Sequence, residues 1–157
     1  MANQIVLNNL KATASIKNVV APANTVNGGI LVLGVQGSDM TYAAAANGAV
    51  TDKGMVIVLE VPLSYEVEKL ENDFVIATGA VVRAYVPELG DVISVPTANI
   101  TATAALAAGK VVVPKATAIK MECLADFAGT EILGYVIDQL YTKAGVPMTK
   151  LRCIKVG

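Results

Sequence analysis

Glu66, Glu68, Glu71 and Asp73 form the densest group of side chains able to do acid–base work in this sequence. A carboxylate pair can act as acid and base when one member is desolvated and its pKa rises. Glu66 and Glu68, however, flank the apolar Val67, which is the pattern of a solvated face. The chain has no His. That removes the commonest general base, metal ligand and pH switch. It excludes Ser-His-Asp and Cys-His catalysis within the chain, as well as zinc sites of the His-containing types. Cys123 and Cys153 cannot complete a structural zinc site alone. Gly28-Gly29 and Gly34-Val35-Gln36-Gly37 match neither the P-loop nor the dinucleotide fingerprint, and serve turns or close strand packing. Ser38-Asp39 reads as a turn. No cofactor or metal is expected, and no enzyme activity.

Nucleic-acid readers interleave aromatics with Lys and Arg. Here only Tyr85 with Arg83 makes such a pair on one strand face. A formal net charge of -1 gives no basic footprint, so nucleic acid is not an expected partner. Charge is nevertheless uneven. Glu60, Glu66, Glu68, Glu71, Asp73, Glu88 and Asp91 face only Lys69 and Arg83 across positions 60–91. From Lys110 onward, seven bases stand against four acids. Oppositely charged halves can meet head to tail between copies, or form two solvated surfaces. Met1-Ala2-Asn3-Gln4 lacks the basic flank and apolar core of a secretory leader, so cytosolic synthesis and reduced thiols are expected. Cys153 shares a strand face with Leu151, which favours packing.

The elements that must position these groups are strands. Hydrophobic residues reach 54% while charged residues fall to 16%, which excludes global disorder. No apolar run approaches the ~18 residues of a membrane span. Strand patterns occur at Ile30–Val35, Met55–Val61, Phe74–Ala77, Val81–Val86, Asp91–Val95, Val111–Val113, Ala118–Met121, Ile132–Ile137 and Lys150–Val156. Met55–Val61 is apolar on both faces and should be central. Five of the six prolines follow Val, in Val61-Pro62, Val86-Pro87, Val95-Pro96, Val113-Pro114 and Val146-Pro147. Val favours strands and Pro cannot donate to a ladder, so the pair marks strand ends or edges. Short helices are expected at Thr101–Ala108, with Thr101 as N-cap and Gly109 beyond the end, and at Asp138–Ala144. Tyr65–Asn72 fits a helix or a strand. Residues 1–25 are rich in Asn, Ala, Thr and Ser without a sustained period. They read as an extended N-terminal arm, or as an ordinary first strand at Gln4–Leu7 plus a loop; residues 26–157 then form the mainly β body. The expected fold is a small β-barrel or β-tulip-like domain with one to three short helices.

Gly90-Asp91-Val92-Ile93-Ser94-Val95-Pro96 precedes the Ala/Thr-rich stretch Ile100–Ala108. Gly109-Lys110-Val111-Val112-Val113-Pro114, Ile132-Leu133-Gly134-Tyr135-Val136-Ile137-Asp138 and the basic strand Thr149–Val156 follow. Over residues 74–157, roughly half the chain, this order resembles the capsid decoration (cement, or auxiliary head) proteins of tailed bacteriophages. The resemblance implies a β-tulip or related barrel, often trimeric, bound to the major capsid protein outside the head where capsomers meet. It places the protein on the virion, after synthesis in the host bacterial cytoplasm, away from membranes. The arm would then carry the capsid contacts, at Asn3, Ile5, Leu7, Asn8, Leu10, Lys11, Ile16 and Lys17. Ordering an arm costs ~1–2 kcal/mol per residue, which an extended groove can offset by strand addition. The alternatives are another virion or surface subunit, such as a head fibre base or tail component, and a His-free carboxylate enzyme.

Overall fold

A computed structural model describes residues 6–9, 16–46, 48–49, 52–59 and 76–156. Twelve strands follow in chain order: β1 (Val6–Asn9), β2 (Ile16–Val20), β3 (Ile30–Gln36), β4 (Tyr42–Ala45), β5 (Met55–Val58), β6 (Val81–Tyr85), β7 (Val92–Pro96), β8 (Ile100–Thr101), β9 (Val111–Val113), β10 (Met121–Leu124), β11 (Gly134–Lys143) and β12 (Val146–Lys155). The protein is mainly β, as its residue pattern predicts. Strands β2-β4-β3-β5-β6 close into a barrel, and β1-β7-β12-β11-β9-β10-β8 form a seven-stranded sheet.

Strand β5 is the wall the two layers share. Side chains alternate across a strand, so Val56 and Val58 point one way and Met55, Ile57 and Leu59 the other. The first pair joins Val19, Leu31, Ile76, Val82 and Ala84 in one buried cluster, which fills the barrel. The second set joins Ile30 and Tyr85 in a cluster with Ile93, Val112, Met121, Tyr135, Ile137 and Leu151 of the sheet. All five residues from Met55 to Leu59 are buried, as a central run should be. Barrel diameter grows with strand number, so five strands leave room only for small fillers. That is a physical use for a sequence rich in Val and Ala.

Asn27-Gly28-Gly29 stitches barrel to sheet. The Gly28 N–H donates to Val58 O at 2.8 Å, and the Val58 N–H donates to Gly29 O at 2.9 Å. Ile30 N–H reaches Ile119 O at 2.8 Å, and Asn99 Nδ2 donates to Asn27 O at 3.0 Å. A Cβ on Gly29 would lie 2.6 Å from Ile119 Cγ2, so the approach demands glycine.

Three expectations change. Residues 16–25 are not part of an extended arm. Ile16–Val20 is β2, paired with β6 from Ile16↔Tyr85 to Val20↔Val81, and Val19, Ala21 and Thr25 are buried. Only the two small inward side chains Val19 and Ala21 mark this strand, so polar Lys17 and Asn18 mask its alternation. Asp138–Ala144 is not helical; it belongs to the β11–β12 hairpin. Ala144 (φ 49) and Gly145 (φ 80) form the two-residue turn with positive φ that matches strand twist. Thr101–Ala108 is likewise not helical: Thr101 closes β8 and the residues after it are irregular, so short a segment gaining little from helix formation alone. Ala104 N–H donates to Cys123 O, and Ala104 and Leu106 pack on the core. Among the described residues helix is confined to a single 3₁₀ turn, Thr97–Asn99. Tyr65–Asn72 and Val61-Pro62 lie outside the described residues. Of the other Val-Pro pairs, Val95-Pro96 and Val113-Pro114 close β7 and β9, Val86-Pro87 follows β6, and Val146-Pro147 opens β12.

Register places the two thiols in one cross-strand row. Cys123 pairs with Val112, Val112 with Tyr135, and Tyr135 with Cys153. Three strand spacings separate them by ~14 Å, twice the reach of a disulfide at about 7 Å. Both are free and buried. Burial pushes the Cys123 thiol up, and pushes Cys153 up to about 11. Ellman's reagent at pH 8 should therefore read neither thiol in the native protein and both after denaturation. Fast native labelling would contradict their packing.

Candidate functional site

The Glu66–Asp73 carboxylates lie outside the described residues. The acids buried in the body have structural duties. Asp91 Oδ2 accepts the Glu88 N–H at 3.0 Å. Glu131 accepts the N–H of Ala128 at 2.8 Å and of Gly129 at 2.9 Å, closing the loop before β11. Burial alone would raise the Glu131 carboxyl. These amide donors and the Lys155 charge outweigh it and hold the carboxyl below its ordinary value of 4.5. A lowered folded pKa gives stability that is present above the unfolded value and lost as pH falls through the folded one. Glu131→Gln should thus cost about 1–3 kcal/mol at pH 7, a gap that shrinks below pH ~4.5. Urea melts of both proteins at several pH values would show it; a pH-independent gap would contradict it.

Among the described residues, no group of three Cys, Asp or Glu is placed to hold a metal. No helix there is long and apolar enough to cross a membrane. The surface features that stand out among the described residues are strand edges and one hairpin tip.

The tip joins β3 to β4. Gly37 N–H donates to Thr41 O at 2.8 Å, and Met40 N–H to Gly37 O at 3.1 Å. Asp39 Oδ1 takes the Thr41 hydroxyl at 2.7 Å and its N–H at 3.2 Å. These bonds, the hydroxyl's foremost, hold the Asp39 carboxyl below its ordinary value. Met40 sits at φ 66, unusual for a side chain of its size. The end of β3 and the braced loop present Val35 at 83% and Met40 at 68% exposure, the most exposed large apolar side chains among the described residues. Nothing in the types Val and Met separated them from core aliphatics in the sequence.

Edges are the second feature. Strand β1 adds antiparallel to the outer edge of β7, with Val6↔Ser94 and Leu7↔Ile93. Strand β11 pairs with β9 only at Tyr135 and Val136, and Ile137 is met by Lys110 and Gly109. From Gln139 to Lys143 no further described strand covers that edge, and Leu140 is 42% exposed. On the basic closing strand Arg152 is paired, its Nε 3.1 Å from Asp138 Oδ2, and Lys155 Nζ sits 5.4 Å above the uncharged Phe127 ring. Exposed pairs of this kind contribute little to stability.

The third feature is the barrel seam. Strands β2 and β4 run parallel and share one register pair, Val19↔Tyr42. Beside it lies an open groove of about 370 Å³ lined by Val20, Pro22, Val35, Thr41, Ala43 and Ala44, among others. Lys17 Nζ stands 5.7 Å over the Tyr42 ring.

The predicted contact residues are dispersed among these features. Leu7 and Asn8 lie on β1 at the sheet edge; Ile16, 49% exposed, and Lys17 lie on β2 in the barrel. Asn3, Ile5, Leu10 and Lys11 lie outside the described residues. No protein-family model, no curated protein and no solved structure matches the chain.

Proposed function

We propose that this chain is a structural binding protein of a virus shell, a decoration protein that attaches outside a tailed-phage capsid and bridges its capsomers. The observation that carries the reading is the attachment of β1. A four-residue strand lies apart from the barrel and is held by backbone pairing on a sheet edge. Paired here within its own chain, the segment has the form that strand addition uses when an extended piece grips a groove on a neighbour. The exposed β11 edge and the Val35–Met40 tip offer further contact area. In this reading the residues around β1, namely Asn3, Ile5, Leu7, Asn8, Leu10 and Lys11, with Ile16 and Lys17 at the barrel rim, meet the major capsid protein. A homo-oligomer, a trimer in the resemblance, makes modest contacts multivalent, and binding only the expanded shell stabilises it by mass action. The role requires no turnover, cofactor, nucleic acid or membrane.

The test is cosedimentation of the purified protein with expanded capsids of the encoding phage. Saturable binding that raises the shell's melting temperature is expected. Failure to bind those capsids, or a hydrolytic activity lost with the acids at 66–73, would overturn the reading.

A further inference from the structure

The β3–β4 tip and a small cavity lie at the same end of the barrel. Val32 pairs with Met55, and Leu33 N–H donates to Gly54 O at 3.2 Å. Val86-Pro87 leaves β6 at that end too, since Tyr85 pairs with Ile57. There Gly54, Met55, Val86, Pro87, Leu133 and Val156, among others, line a cavity of about 130 Å³ between barrel and sheet. None of these six residues carries a charged side chain. Strand β3 continues past the cavity through Gly34, Val35 and Gln36, which at ~3.3 Å per residue sets the tip roughly 10 Å beyond it. Met40 crowns that tip. Its φ of 66 lies in a region that Gly, Asn and Asp occupy at least cost, yet the residue there is large, apolar and exposed. The turn bonds hold it in place: Asp39 Oδ1 accepts from Thr41, and Gln36 Nε2 touches Met40 Sδ at 3.7 Å. An isolated monomer gains nothing from this arrangement, and strain of this kind persists where a contact uses it.

We propose that two copies of this chain pair about a two-fold axis, each seating its Met40 in the other's cavity beside Leu133. Three observations select a second copy as the occupant. The first is size. A cavity of about 150 Å³ holds a benzene, so one of about 130 Å³ takes a single thioether side chain and little more. The second is reach. The extended, braced hairpin carries Met40 away from its own cavity, whereas two such arms lying antiparallel bring each tip to the base of the other. The third is charge. Asp39 stands next to Met40, and the exposed Lys53 stands next to Gly54 at the cavity, so the pairing sets opposite charges together twice. The other charged neighbours of the lining are Glu88, Glu131 and Lys155. Glu131 is turned into the Ala128 and Gly129 amides, and Lys155 lies over Phe127. The bracing also pre-organises the knob, so little freedom is lost when it seats. This contact goes beyond the capsid role and does not rest on it.

Sedimentation equilibrium of the full chain, without any capsid, tests this. A reversible monomer–dimer equilibrium is expected at concentrations up to about 1 mM. Met40→Asn should weaken the dimer by roughly tenfold or more, since each dimer loses two buried side chains. In dilute, monomeric protein the same variant should raise the melting temperature, because Asn tolerates the backbone better. Val156→Trp, at an exposed lining position, fills the cavity from within and should weaken the dimer as much as Met40→Asn. Lys53→Glu should weaken it severalfold. In a mixture of copies labelled on Met methyls with copies labelled on Leu and Val methyls, NMR should show Overhauser contacts from Met40 to Leu133 and Val156 across the pair. A chain that stays monomeric to about 1 mM overturns the pairing. So does a dimer indifferent to Met40→Asn. Sensitivity to Met40→Asn without sensitivity to Val156→Trp, or Met40 contacts to Val20 and Ala44 instead, overturns the cavity as the seat. Growth into open chains overturns the two-fold. Should dimerisation fail while capsid cosedimentation succeeds, the shell-binding role stands and only this contact is removed; the reverse result removes the shell and keeps the contact.

Discussion

Gly28→Ala should lower the unfolding free energy by about 2–5 kcal/mol, a large fraction of a typical 5–15 kcal/mol total. Two costs add. Gly28 holds φ +82, where an L side chain meets its own carbonyl at about 1–2 kcal/mol. The new methyl would also stand 2.7 Å from Val95 Cγ1, inside the junction between barrel and sheet. Overpacking a tight site costs typically 1–3 kcal/mol. Gly79 separates the two terms, since it has the same φ of +82 but nothing within 4 Å of its added Cβ. Gly79→Ala should cost the backbone strain alone. Urea denaturation of both variants, with Val95→Ala in a double-mutant cycle, measures the difference. Val95→Ala should recover part of the loss in the Gly28 background. Equal costs for Gly28→Ala and Gly79→Ala would mean that the junction relaxes and the stitch is unimportant.

Truncation should split the first two dozen residues into two functions. Removing residues 1–9 takes away β1 and its three register pairs with β7, a loss of roughly 1–3 kcal/mol in hydrogen bonds. The barrel and the remaining six strands of the sheet should stay folded, while capsid cosedimentation is lost. Removing residues 1–22 takes β2 as well. That deletes Val19 and Ala21 from the barrel interior and uncovers the β6 edge along five register pairs. Such a protein should fail to fold or should aggregate through its opened edges. Circular dichroism, gel filtration and cosedimentation distinguish the two truncations. A cooperatively folded protein lacking residues 1–22 would contradict the closed barrel, and full shell binding without residues 1–9 would contradict the arm.

Much of the scaffold was legible because buried strands here declare themselves locally. Met55–Leu59 needed to be apolar on both faces, and the β-branched run at Val111–Val113 has no polar face either. The turns at Gly54, Gly90 and Gly109 punctuate them. What stayed hidden depends on distant partners. Barrel closure rests on one pair, Val19↔Tyr42, between residues of ordinary type. The hairpin of two ten-residue strands looked helical over Asp138–Ala144, because its turn at Ala144-Gly145 depends on a φ of 49 at Ala144 that is a tertiary outcome. The candidate surfaces were the least legible. Exposure of Val35 and Met40 follows from how far the β3–β4 hairpin runs past β5, and the closing of the barrel follows from register. Neither is a property of residue type.

The shared wall at β5 has a consequence for how the molecule comes apart. Ile57 and Leu59 are lodged against the sheet while Val56 and Val58 plug the barrel, so neither layer can loosen without baring the other. Two sheets of separate hydrogen bonding should therefore give a single calorimetric peak, with calorimetric and van't Hoff enthalpies in agreement. Load applied to one layer would therefore be shared with the other through β5.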